Sequence, residues 1–378
     1  MASSKENHTQ KKKRTSKYFD FNLLFIVIFL MCFGLVMLYS SSSYTAANNY
    51  GDSAYYLKRQ IRNMLIGVIP MTFFAVTDYR KWKKFGSFVY IFSILLCVLV
   101  FIPGFGSSSH GSARWLSLGP ISFQPSEFAK LAVIWFLAMF LEKISKGIGK
   151  ISGLVATGVL LLPIFGLVAY QNLSTAVIIF AIAVCIIFVA SPRYIHFFAV
   201  GICGVIFIAI FILSAGYRGE RIQAFLHPET AGDAGYQTMQ GLYAIGSGRL
   251  FGKGLGESIQ KMGNVPESQN DMIFSIVCEE LGLFGAICVI LLFLLLLWRM
   301  MIIANNARDL YGALLVSGIL GHIALQVILN IAVVTNTMPN TGVTLPFFSY
   351  GGTSIVFLMT EMGLALSVSK GIKLNSLD

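Results

Sequence analysis

The chain has 378 residues, of which 56% are hydrophobic and only 12% are charged. A soluble globular domain carries about 25% charged residues, so the composition and the mean hydropathy of +0.74 exclude that class. Much of the net charge of +11 lies in the amino-terminal tail and in short segments between apolar runs. That placement indicates membrane topology rather than nucleic-acid binding.

The cysteines fall within apolar runs and lack the spacing of a metal site. We therefore predict small buried hydrophobic residues rather than disulfide partners or zinc ligands. The residues concerned are Cys32, Cys97, Cys185, Cys203, Cys278 and Cys288.

Residues 1–17 are basic and poor in apolar side chains, which predicts a disordered tail at the cytoplasmic surface of a membrane. The first apolar run, 21–40, is too long for the core of a signal peptide and lacks a small-residue cleavage site. It is interpreted as a retained membrane span. Residues 18–378 are predicted to form one membrane domain.

Apolar runs of about 20 residues, the length that crosses a hydrocarbon core, recur along the chain and predict an all-α fold with ten spans. They lie at 21–40, 60–77, 85–103, 125–141, 151–170, 172–190, 194–214, 272–298, 311–334 and 352–370. Basic clusters alternate between the loops, so the positive-inside rule places both termini in the cytoplasm. Segments 104–124, 215–271 and 335–351 are then extracytoplasmic.

The large loop at 215–271, between the seventh and eighth spans, carries charges of both signs. We select Arg218, Arg221 and Lys253 as cations for an anionic substrate. The arginines are preferred, because a guanidinium group binds phosphate in a bidentate manner. The loop ends at Asp271, directly before an apolar run, where partial desolvation would raise the pKa of a carboxyl group. The glycines around Lys253 do not satisfy the P-loop pattern.

Another polar loop leads into the span that begins at Pro125. Glu127 and Lys130 lie three residues apart, share a helix face and are expected to pair. Two interpretations stay open: a structural ion pair that joins helices, or a pair that lines a substrate cavity. Asn172 opens a later span, where its side chain is expected to cap the helix.

The motifs GSARW, FQPSEFAK, NLSTA, YRGERIQAFLHP, PESQNDMIFSIVCEELGLFG and TLPFFSYGGTS occur in this order. Together they resemble the SEDS family (shape, elongation, division and sporulation) from the first span to the last. At Thr344, rod-elongation members more often carry proline. The threonine therefore resembles the FtsW and SpoVE branch of the family more than the RodA branch. The resemblance implies a peptidoglycan glycosyltransferase in the bacterial plasma membrane, which polymerises lipid II on the outer face beside a class B penicillin-binding protein as transpeptidase.

The resemblance also implies roles for particular residues. Asp271 corresponds to the essential aspartate of the family and is assigned as the general base of an inverting transfer. Glu127 and Lys130 correspond to the characteristic helix pair of the family. Beyond the resemblance, the predicted substrate-binding residues are Arg218, Arg221, Lys253, Glu127, Lys130, Trp115, Gln124 and Glu267. No metal ligands are predicted, and a divalent cation is the one cofactor left open. Asn172 and Gln269–Asn270 depart from the family motifs, so neither a carboxylate at 172 nor a histidine beside Asp271 is available.

Two rival functions use the same residues differently. In a lipid II flippase, intramembrane charges such as Glu127, Lys130, Glu279 and Glu361 would line a transport path. No inverted repeat is evident, and the polar residues concentrate on one side of the membrane. A non-enzymatic scaffold would explain neither the charged loop nor Asp271.

Overall fold

A computed structural model of the chain describes residues 18–102, 104, 106–109, 112–118, 121–144, 151–191, 193, 198, 201, 202, 204 and 223–372. Within these residues the chain forms a helical bundle with one small sheet. The helices, numbered in chain order, are α1 (Phe21–Tyr50), α2 (Tyr55–Val76), α3 (Tyr79–Lys83), α4 (Gly86–Leu99), α5 (Pro125–Lys143), α6 (Ile151–Gln171), α7 (Leu173–Ala190), α8 (Gly232–Ser247), α9 (Ile273–Asn305), α10 (Leu310–Val334) and α11 (Ser354–Ser369).

The helices identify a multi-pass membrane protein. In the described part of the chain, α1, α6, α7, α9 and α10 are each long and apolar enough to cross a membrane, and α4 and α11 are shorter apolar helices. A helix occupies nine of the predicted span positions. The tail at 1–17 and most of the predicted span at 194–214 lie outside the described residues, so the number of ten spans stays a prediction.

The bundle is organised around α10. Of its most apolar stretch, 61% is buried, against 17% for α6 at the periphery. Helices α5, α7 and α9 all pack against α10, while α2 packs along α11. The outward faces of α1, α4 and α9 are apolar and exposed, as expected of surfaces that meet lipid tails.

Two ion pairs, one buried and one partly exposed, fix the end of the bundle where α1 and α10 begin. Asp20 caps α1 by accepting from the Leu23 amide at 2.9 Å, and it also accepts from Arg299 Nη2 at 2.6 Å. Asp309 caps α10 in the same way and accepts from Arg80 Nε at 2.6 Å. Each carboxylate therefore stabilises a helix start and joins it to a distant segment.

A three-stranded antiparallel sheet interrupts the predicted all-helical architecture. Its strands β1 (Gly106–Ser109), β2 (Ser112–Leu118) and β3 (Ile121–Phe123) follow one another, with Leu116 opposite both Gly106 and Phe123. The all-α prediction includes no strands in this loop. The segment is rich in serine and glycine, which are poor helix formers, so a hairpin pairs its backbone groups instead.

The segment between α10 and α11 crosses the bundle without regular structure. Leu345, Phe347 and Phe348 are buried in the core, and Phe347 has a positive φ of 65°. The segment approaches α1 so closely that a Cβ atom on Gly34 would lie 2.2 Å from the Phe347 carbonyl oxygen. Irregular backbone at this depth is stable because it packs on protein.

Candidate functional site

A cavity of about 400 Å³ opens at the end of the bundle where α5, α7 and α9 begin and α10 ends. It brings together most of the predicted site residues. Its wall includes Trp115, Gln124, Glu127, Lys130, Glu267 and Asp271. Residues from the sheet, from five helices and from two loops thus converge on one space.

Asp271 lies one residue before Met272, the N-cap residue of α9, and its exposure is 8%. The Asn330 side chain on α10 holds this position. Its Nδ2 donates to the Asp271 carbonyl at 2.7 Å and to the Val343 carbonyl at 2.8 Å. A buried amide that satisfies two backbone acceptors fixes the chain at Asp271 relative to the loop that follows α10.

Glu127 and Lys130 form the predicted pair on the first turns of α5. Lys130 Nζ lies 2.8 Å from Glu127 Oε1, and the side chains are 1% and 12% exposed. Both residues line the cavity that contains Asp271. The pair is therefore internal to one helix and lines the cavity, which supports the second of the two interpretations.

Hydrogen bonds within the turn and to the segment after α10 fix the turn before Asp271. Glu267 has a positive φ of 54°, and its carboxylate accepts a hydrogen bond from Asn270. The Gln269 carbonyl accepts from the Tyr350 amide at 2.8 Å. The turn and the segment after α10 are therefore joined directly, and both line the cavity.

Lys253 lies apart from this cavity. Its Nζ is 2.5 Å from Glu279 Oε1, and it lines a second, more open cavity of about 630 Å³ beside α8. Glu279 also accepts from the backbone amides of Ile259 and Gln260 at 3.2 and 3.3 Å. The neighbouring Glu280 faces other partners, with Lys261 Nζ at 2.8 Å. These two carboxylates fasten the loop to α9.

The loop also pairs with α9 through its backbone. Gly282 interrupts the helix with φ 67° and ψ −166°. The amides of Leu283 and Phe284 then donate to the carbonyls of Arg249 and Leu250 at 2.9 and 3.1 Å. A Cβ on Gly282 would lie 2.3 Å from the Gly252 nitrogen, so only glycine permits this approach.

The family model described as Cell cycle protein, which covers FtsW, RodA and SpoVE, matches residues 21–373. The chain belongs to the FtsW/RodA/SpoVE family. Stage V sporulation protein E of Bacillus subtilis (strain 168) is 42% identical over 361 residues, which cover 95% of this chain and 98% of that protein. A probable peptidoglycan glycosyltransferase FtsW of Trichlorobacter lovleyi is 38% identical, with 97% and 96% covered.

Solved structures of the FtsW/RodA/SpoVE family share the fold. A chain from a peptidoglycan synthase complex that coordinates polymerization and crosslinking aligns with a TM-score of 0.77 at 27% identity, over 94% of this chain and 99% of that one. The rod shape determining protein RodA of Thermus thermophilus aligns with a TM-score of 0.69 at 27% identity, over 93% and 96%. The polytopic fold is thus RodA-like.

The remaining predicted site residues are placed as follows. Arg218 and Arg221 lie outside the described residues, and their roles stay predictions. Asn172 caps α7, as predicted, by accepting from the amides of Ser174 and Thr175, and it also lines the Asp271 cavity. Among the described residues, no group of three or more His, Cys, Asp or Glu side chains is arranged to hold a metal ion.

A polar row on α10 was missed. His322, Gln326 and Asn330 lie four residues apart and are buried within an otherwise apolar helix. Gln326 lines the cavity, and His322 Nδ1 lies 2.9 Å from a carboxylate oxygen of the buried Glu361. The sequence pattern could have revealed this row, because residues spaced four apart share one face of a helix. Polar residues within a membrane span also indicate function.

Proposed function

We propose that this family member is a peptidoglycan glycosyltransferase that polymerises lipid II, with Asp271 as general base. The observation that carries the proposal is the convergence of Asp271 and the Glu127–Lys130 pair in one cavity. Family membership supports it, since relatives that match over nearly the whole chain are named peptidoglycan glycosyltransferases.

In the proposed reaction, the sugar 4-hydroxyl of the acceptor attacks the anomeric carbon of the lipid-linked donor. Asp271 takes the hydroxyl proton, the new glycosidic bond forms, and the bond to the lipid diphosphate breaks with inversion. General-base catalysis contributes about 10²- to 10⁴-fold, or roughly 3–5 kcal/mol. Asn330 fixes the backbone at Asp271 by donating to its carbonyl.

Positive charge must oppose the charge on the leaving diphosphate. Lys130 is the buried lysine of the cavity, and its Nζ lies 2.8 Å from Glu127 Oε1. Arg218 and Arg221 retain their predicted diphosphate roles. Lys253 is not included, because its amino group is bound to Glu279 beside a different cavity.

We further propose an extracytoplasmic cavity, cytoplasmic termini and a transpeptidase partner. The basic segments between spans support the orientation. The structural match to a chain from a synthase complex that coordinates polymerization and crosslinking supports the partner. The flippase alternative is less well supported: Glu279 is fastened to the loop and Glu361 is paired with His322, so neither shares a described path with Glu127.

Asp271→Asn tests the proposal. The amide keeps the size of the carboxylate but cannot take the proton, so polymerisation of labelled lipid II by the purified protein should fall at least ~100-fold while folding and lipid II binding persist. Asp271→Glu should also lower turnover, because the base must lie within about 3 Å of the proton. Near-full activity of Asp271→Asn would eliminate the general-base role.

A further inference from the structure

Four tyrosine rings form a continuous row from the Asp271 cavity to the protein surface. Tyr350 lines the cavity, and its ring centroid lies 4.9 Å from that of Tyr56. Tyr56 contacts Tyr55 and Tyr50, at 5.4 and 5.9 Å. Tyr50 stacks on Tyr55 at 3.7 Å with only 7° between the planes, and it is 51% exposed.

Hydrogen bonds and a tight turn fix the backbone segments that carry the tyrosines. The buried Gln60 side chain donates to the Ser349 carbonyl at 3.3 Å and accepts from the Gly351 amide at 3.4 Å, on either side of Tyr350. The turn between α1 and α2 begins at Gly51, with φ 68°. The tyrosines therefore stand on two helices and a loop whose relative positions are fixed.

Cations accompany the row. Arg59 stacks over Tyr55, with its guanidinium carbon 4.3 Å from the ring centroid. Tyr55, Arg59 and Arg62 follow the i, i+4, i+7 spacing of one helix face, and both arginines are exposed. In the described part of the chain no carboxylate forms an ion pair with either arginine, whereas Lys58 is paired with Asp52 at 2.7 Å.

Aromatic and basic side chains also occur singly at membrane boundaries, where they anchor helices. Three features separate this row from such an anchor. Its rings contact one another, it ends inside a polar cavity, and its cations lie on the side where the topology rule disfavours them.

We propose that the Tyr50–Tyr55–Tyr56–Tyr350 row binds the glycan strand that extends from the Asp271 cavity. The inference rests on the proposed function. Pyranose rings present apolar C–H faces that pack on aromatic rings, and the amphipathic tyrosines also offer hydroxyl groups to sugar oxygens. Arg59 and Arg62 attract carboxylates of the acidic peptides that the strand carries.

The first experiment measures product length. Full-length protein polymerises labelled lipid II, and gel electrophoresis separates the strands. Loss of one aromatic contact should weaken strand binding roughly 3- to 10-fold, so Tyr50→Ala should shorten the products more than it slows the first glycosidic bond. Tyr50→Trp, which keeps a ring, should restore the length, and Tyr50→Leu, which keeps the bulk alone, should not.

Tyr39→Ala is the matched control. Tyr39 lies on the same helix, is 42% exposed and has no ring partner among the described residues. Product lengths that are unchanged in both Tyr50→Ala and Tyr50→Leu, or shortened equally in Tyr39→Ala, would overturn the inference while leaving the proposed function intact.

The second experiment separates the two proposals. Lipid-free glycan fragments, with and without their peptides, are titrated into the full-length protein in detergent. Both should bind more weakly to Tyr50→Ala, and Arg59→Gln should weaken only the peptide-bearing fragments. Fragment binding by a protein that does not polymerise lipid II would support the row and contradict the enzyme. Binding that is insensitive to Tyr50 and Arg59 would contradict the row.

Discussion

The side-chain amide of Asn330 donates to the backbone carbonyl of Asp271 across 59 residues of sequence. The same nitrogen bonds the Val343 carbonyl, and Asn330 is fully buried. One side chain on the central helix therefore fixes the backbone of the proposed base and the backbone of a second cavity-lining segment.

Replacement of Asn330 should damage stability and activity together. Asn330→Ala leaves two buried carbonyls without this donor, at about 1–3 kcal/mol each. Asn330→Asp should be at least as harmful, because a carboxylate of the same size faces two acceptors. Thermal unfolding and lipid II polymerisation measure the two effects. An aspartate variant milder than the alanine variant would show that the amide donates nothing.

The Glu127–Lys130 pair should show an asymmetric double-mutant cycle. Lys130 is 1% exposed and Glu127 is 12% exposed. An unpaired Lys130 should therefore destabilise the fold more than an unpaired Glu127. Glu127→Gln should therefore lower stability more than Lys130→Met. The double change should be less harmful than the sum, by about 0.5–3 kcal/mol. Additive effects would show that the two groups do not interact in the membrane.

The buried ion pair of Lys261 with Glu280 should matter far more than an exposed one. Lys261→Met leaves a fully buried carboxylate with Ser40 as its remaining partner, and loss of such a partner costs about 3–5 kcal/mol. Lys58→Met is the matched control, because that lysine is 68% exposed and pairs with Asp52 at the surface. Its expected cost is about 0–1 kcal/mol. Equal unfolding temperatures for the two variants would contradict this interpretation of the loop.

The orientation of the chain can be tested with single cysteines. Leu250 and Lys84 are both exposed and lie toward opposite ends of the bundle. In intact cells a membrane-impermeant thiol reagent should label Leu250→Cys and should reach Lys84→Cys only after lysis. The unmodified chain gives the background from its own cysteines. The reverse pattern would place the Asp271 cavity in the cytoplasm.

Features that depend on neighbours along the chain were predictable. The Glu127–Lys130 pair follows from helical spacing, and the Asn172 cap follows from the chemistry of a helix start. The divergence of Glu279 and Glu280 follows from their angular separation on α9. Each needs only the secondary structure of one segment.

Features that join distant segments were not predictable from one sequence. The Asn330 contact to Asp271 and the His322 pair with Glu361 require the packing of α10 against two other elements. The position of Lys253 away from Asp271 depends on how the loop folds back onto α9. Charge and composition alone do not determine either outcome.

Because α9 is interrupted at Gly282, hydrogen exchange at two amides can report when the loop moves away from the helix. Leu283 and Phe284 donate to the loop rather than to their own helix, so their protons can exchange with solvent only when the loop separates from α9. The exchange rates of these two amides therefore measure how often the loop that leads to Asp271 separates from α9. A strand or lipid that immobilises this segment would slow both rates together, without any contact to either residue.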